Sequence, residues 1–144
     1  MSSASILRDA LRACDARNEL DRAAAVMSPV ERERLRDNWL LWARPDQLPP
    51  AGDWTTWLLL GGRGAGKTRA GAEWVKAVAL GREPFGGLVT GRIALVGETF
   101  ADVRDVMIEG VSGLLRIHRR ADRPQWRPSL RRLEWPNGAV AQTF

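Results

Sequence analysis

The stretch LLLGGRGAGKTRAGAEW, Leu58 to Trp74, decides how the rest of the chain is read. An apolar run ends in glycines, and the glycines end in Lys-Thr. Gly61-Gly62-Arg63-Gly64-Ala65-Gly66-Lys67-Thr68 fits G-x-x-x-x-G-K-[ST], the P-loop pattern. Each residue type has a physical task there. Glycines let the backbone turn sharply and aim its N–H groups at phosphate oxygens. A helix starting near Gly66 adds the positive end of its dipole. Lys67 is a compact cation able to reach β- and γ-phosphates, and the Thr68 hydroxyl can ligate Mg²⁺. Lys67 and Lys76 are the only lysines among 22 basic residues. A chain that otherwise uses Arg places Lys where a point charge is wanted. The dinucleotide fingerprint G-x-G-x-x-G is not met, because Lys67 stands where its third glycine belongs.

The flanks predict an α/β fold. Thr56 to Leu60 is a short continuous apolar run, as in a strand buried on both faces. Thr68 to Leu80 reads as a helix with Ala70, Trp74, Ala77 and Val78 on one face and Gly81 ending it. RIALVGET, Arg92 to Thr99, reads as a second buried strand. Thr99 is placed to cap a helix striped by Val103, Val106, Met107, Val111 and Leu114. Strand, helix, strand, helix argues for parallel strands with right-handed crossovers. LRRLEW, PNG and AVAQTF then predict a β-hairpin with Asn137-Gly138 in the turn.

Ahead of the apolar run the pattern is helical. Ser2 to Val26 reads as one helix with Leu7, Leu11, Cys14 and Leu20 loosely in register. In SPVERERLRDNWLLWA, Ser28, Pro29 and Glu31 form a capping-box start, and Val30, Leu35, Trp39 and Trp42 predict a buried side. RPDQLPPAGDW, with three prolines and a glycine, breaks the helix. The expected organisation is a helical segment at 1–44, a linker at 45–55, and the front part of a P-loop domain at 56–144.

Composition narrows the function class. Of 144 residues, 44% are hydrophobic and 27% charged, a globular balance. No apolar stretch approaches the roughly 20 residues that span a membrane, and no signal peptide is read at the start. One cysteine, Cys14, makes neither an internal disulfide nor a metal cluster, and reads as a half-buried helix residue. A soluble cytoplasmic protein is expected. The net charge is +5. From Arg116 to Arg132 stand seven arginines and His118 against one acid, Asp122. Such a run can meet a polyanion or form an ordinary solvated surface; His118 is read as part of that surface. Trp126 and Trp135 are expected to pack the hairpin on the sheet.

A P-loop binds nucleotide; hydrolysis also needs an acidic residue at a strand end and a group that orients water. Glu98 is a candidate by position but stands alone, and nothing after it has four apolar residues followed by Asp-Glu. A kinase-like phosphotransferase and a nucleotide-binding remnant without turnover therefore stand as alternatives to a motor ATPase.

WLLLGGRGAGKTRAGAEWV followed by RIALVGETFADVRDVMIEGVSGL resembles the start of the large terminase subunit, the DNA-packaging motor of tailed phages and gene transfer agents. The resemblance covers roughly residues 36 to 144. It implies a RecA-like, additional-strand P-loop ATPase domain, ATP with Mg²⁺, and a separate nuclease domain. It further implies a homo-oligomeric ring on the portal protein, a small terminase subunit as partner, double-stranded DNA as substrate, and work in the bacterial host cytoplasm. Lys67 and Thr68 match the family's phosphate lysine and Mg²⁺ hydroxyl. Arg63 matches the arginine inside its P-loop that acts at the γ-phosphate, and Gln47 resembles the glutamine that contacts adenine. The acidic second motif and the nuclease carboxylates are expected beyond Phe144.

Overall fold

The computed structural model describes residues 3–50, 52–82 and 89–144. The chain divides into two compact units, Met1–Arg44 and Pro45–Phe144.

The first unit is helical. The helix expected from Ser2 to Val26 is two helices, α1 (Ser3–Ala16) and α2 (Leu20–Val26); Ser2 lies outside the described residues. Asn18 takes a left-handed φ of 57°, and the Glu19 N–H turns back to the Cys14 carbonyl. Asn tolerates that conformation better than most residues, so the chain turns there instead of continuing. Helix α3 (Pro29–Asp37) starts with the expected capping box, in which Ser28 and Glu31 bond reciprocally. It stops at Asn38, and α4 (Trp39–Trp42) follows. The expected buried side is only half realised. Leu35 and Trp39 are partly covered, while Val30 and Trp42 are 57% and 56% exposed.

The second unit is mixed α/β. After a short 3-10 turn, Pro45–Gln47, come α5 (Lys67–Leu80), β1 (Arg92–Leu95) and α6 (Phe100–Asp102). A π-helical stretch, Val103–Ile108, continues α6. Then follow α7 (Leu114–Ile117), β2 (Gln125–Arg127), β3 (Arg132–Glu134) and β4 (Val140–Thr143). The sheet order is β1-β4-β3-β2. Among the described residues only β1 and β4 run parallel, Arg92 opposite Val140 through Leu95 opposite Thr143. The other two pairs are antiparallel. The expected parallel sheet is therefore corrected to a mixed one, into which the expected hairpin is built. The hairpin outweighs the single crossover, because a short turn joins antiparallel neighbours directly. That hairpin is as expected: the Gly138 N–H closes the turn on the Trp135 carbonyl, and Gly138 has φ 89°.

Thr56 to Leu60 does not enter the sheet. It has no strand pairing, and Leu58 and Leu60 are 73% and 82% exposed. An apolar run becomes a strand only beside a partner that takes up its N–H and C=O groups, and none of the described strands lies beside this one. Strand β1 is also less enclosed than expected, with Leu95 buried but Ala94 and Val96 open.

The core lies on one face of the sheet. Ala72, Val75 and Ala79 of α5 join Leu95, Leu133, Trp135 and Ala141, with Val103, Ile108, Leu114 and Ile117 from the intervening helices. Thr99 caps α6 as expected, its hydroxyl accepting from the Asp102 N–H. The expected stripe is not a regular one: Val103 and Leu114 are buried, but Val106 is 47% and Val111 94% exposed. The π-helical stretch shifts the phase of the faces. Gly113 then allows a close return, since a Cβ there would lie 2.5 Å from the Ile108 carbonyl oxygen.

Candidate functional site

The site is built where the glycine-rich loop meets α5. Gly64 and Gly66 have left-handed φ of 81° and 78°. Gly66 is also the residue from which α5 starts. Left-handed residues in such a loop can turn backbone N–H groups toward an anion, while here the Ala65 N–H closes a turn on the Gly62 carbonyl at 3.3 Å. Good helix formers at Ala70, Ala72, Glu73, Lys76, Ala77 and Ala79 carry α5 to Leu80. Gly81, at φ 65°, closes it as expected. The N-terminal dipole end of a 14-residue helix therefore faces the loop.

Lys67, in the first turn of α5, folds back over the loop. Its ammonium donates to the carbonyls of Gly61 at 2.6 Å and Gly62 at 2.8 Å. An ammonium has three donors, so one remains for an outer ligand while the other two fix the loop's first glycines. Thr68 and Arg63 are exposed, and neither side chain is bonded among the described residues. Beside Lys67 and Thr68 opens a groove of about 410 Å³ between α5 and β1, walled by Gly71, Trp74, Val75, Ala94 and Val96.

Gln47, expected near the base, is buried against the loop. Its amide nitrogen lies 3.4 Å from the Gly66 carbonyl oxygen, and a Cβ on Gly66 would approach that nitrogen to 2.4 Å. The structure thus brings Gln47, Gly61, Gly62, Arg63, Gly64, Ala65, Gly66, Lys67 and Thr68 into one neighbourhood. Glu98 is exposed past the end of β1.

Sequence reasoning missed the charged cluster along α5. Glu73 and Lys76 are both 4% exposed. The Glu73 carboxylate takes Arg69 at 2.7 Å and Lys76 at 3.3 Å, and Lys76 also donates to the Ile117 carbonyl at 3.1 Å. The helical period placed these residues among the polar positions; only the rarity of lysine hinted that Lys76 was special. His118, expected on the surface, is 3% exposed. Its Nδ1 faces the Leu114 carbonyl at 2.6 Å, and its Nε2 accepts the Trp135 indole N–H at 2.9 Å. A carbonyl on one side and a donor on the other assign the neutral Nδ1–H tautomer.

A mixed α/β unit whose glycine-rich loop feeds a helix at Lys-Thr is the class that fold and site define. The family model described as terminase large subunit, T4likevirus-type, N-terminal, matches residues 58–144. The chain belongs to this family, the large terminase subunits of phage DNA packaging. No curated protein and no solved structure matches it.

Proposed function

We propose that the chain is the ATP-binding portion of the packaging motor, which couples nucleotide turnover to movement of double-stranded DNA into a capsid. The observation that carries this reading is Lys67, at the start of α5, folded back onto the Gly61 and Gly62 carbonyls of a loop whose Gly64 and Gly66 are left-handed. The glycine-rich loop from Gly61 to Gly66 would receive the phosphates, and Lys67 and Arg63 would neutralise the β- and γ-groups. Thr68 would hold Mg²⁺, which would supply positive charge against the phosphates. Two features fit such a ligand: the space around Gly62 and Gly64, where a Cβ would meet nothing within 4 Å, and the unbonded Thr68 hydroxyl. Gln47, already against the loop, is assigned to the adenine side. On this reading the working assembly is a homo-oligomeric ring with portal protein and the small terminase subunit, in the host cytoplasm. Among the described residues no helix is long and apolar enough to cross a membrane.

The test is calorimetric titration of ATP with Mg²⁺ into the chain and into Lys67→Ala. A charge-assisted contact contributes roughly 1.5–3 kcal/mol, so binding in the variant is expected to weaken roughly ten- to a hundredfold. Unaltered affinity in Lys67→Ala would remove this reading.

A further inference from the structure

The arginine run from Arg116 to Arg132 divides into two halves. In the second, Arg127 and Arg132 share the Glu134 carboxylate, and Arg131 lies over the Phe100 ring at 4.9 Å. These cations are already engaged, two by a carboxylate of β3 and one by an aromatic ring of α6. In the first half, the one carboxylate, Asp122, is taken by Arg82. Arg116, Arg120 and Arg123 are all exposed. Among the described residues Arg116 and Arg120 have no partner, and Arg123 makes one long bond, 3.5 Å to the His118 carbonyl.

The backbone that carries these three is held from several directions. Lys76 of α5 binds the Ile117 carbonyl, His118 is fixed between Leu114 and Trp135, Asp122 is tied to Arg82, and Pro124 is buried. Unmatched guanidinium groups on a fixed ledge are suited to a surface of closely spaced phosphates, since little order has to be imposed on binding. A duplex presents about one negative charge per 1.7 Å of axis.

We propose that the ledge at residues 116–123, through Arg116, Arg120 and Arg123, is a contact surface for the phosphate backbone of duplex DNA. It rests on the DNA-packaging reading but not on the nucleotide site. Contact is with phosphates alone, so it is independent of base sequence.

The experiment is fluorescence anisotropy with a labelled duplex of mixed sequence across a salt titration. It uses the whole chain, the double variant Arg116→Gln/Arg120→Gln, and a control double variant, Arg12→Gln/Arg22→Gln. The control makes the same change in net charge at exposed positions of the helical unit. In the ledge variant affinity is expected to fall roughly ten- to a hundredfold, and the slope of log K against log salt by about two, while the control keeps both. Absence of duplex binding by the whole chain, equal losses in both variants, or an unaffected ledge variant would each overturn the proposal. ATP titration of the same three proteins reports on the nucleotide site separately and is expected to be identical in all three.

Discussion

Gly66 meets two demands at one residue. Its φ of 78° starts α5, and its missing Cβ leaves room for the Gln47 amide. An L-residue in that conformation costs about 1–2 kcal/mol. Gly66→Ala is therefore expected to lower the free energy of unfolding by that amount and to weaken ATP binding, because the loop can recover only by moving Gln47 and the amides beside it. Glu31 is a second position with a defined outcome. The Ser28 backbone N–H, and then the Ser28 hydroxyl, hold its carboxyl below the ordinary glutamate value. A carboxyl lowered on folding stabilises above its unfolded pKa, and that contribution is lost as pH falls through the folded pKa. The start of α3 is thus expected to be intact at neutral pH and to fray on acidification. An NMR titration placing Glu31 at or above 4.5 would contradict this. Both positions were legible because a cap and a glycine loop are local, written within a few consecutive residues.

Elements were legible only where their determinants were local in this sense. The start and end of α5, the hairpin turn and the Thr99 cap could be read from the chain. The fate of Thr56–Leu60 could not, since whether an apolar run pairs depends on residues far away. The π-helical stretch after α6 escaped for a related reason: its phase shift follows from packing Val103 and Ile108 into the core, not from a distinctive residue pattern. The Glu73–Lys76 pair escaped because periodicity treats charge as a mark of the surface. Its energetics give a prediction at the scale of the helix. Removing one member of a buried pair strands the other charge at about 3–5 kcal/mol, whereas replacing both with apolar side chains of similar volume is much less costly. Glu73→Ala is expected to destabilise by that order in urea unfolding, and Glu73→Leu/Lys76→Met by distinctly less. A double variant worse than the single one would show that the pair stabilises the fold beyond satisfying its own charges.

For the whole molecule, the division at Arg44 and Pro45 has a direct consequence. All assigned nucleotide-site residues, Gln47 included, lie within the second unit, which has its own core on one sheet face. The fragment 45–144 is expected to fold with its buried tryptophan signal retained and to bind ATP as the entire chain does. Calorimetry on the two proteins side by side is the check. A fragment that folds but binds appreciably less well would make the helical unit part of the nucleotide site.

The chain's preference for arginine has a chemical consequence at the loop. Of its two lysine amines, Lys76 lies in the core and Lys67 stands at the surface. Arginine does not react with acylating reagents under mild conditions. Apart from the terminal amine, a single acyl adduct is thus directed to the glycine-rich loop. The folded protein carries its own selective labelling handle at the place where a bound phosphate would shield it.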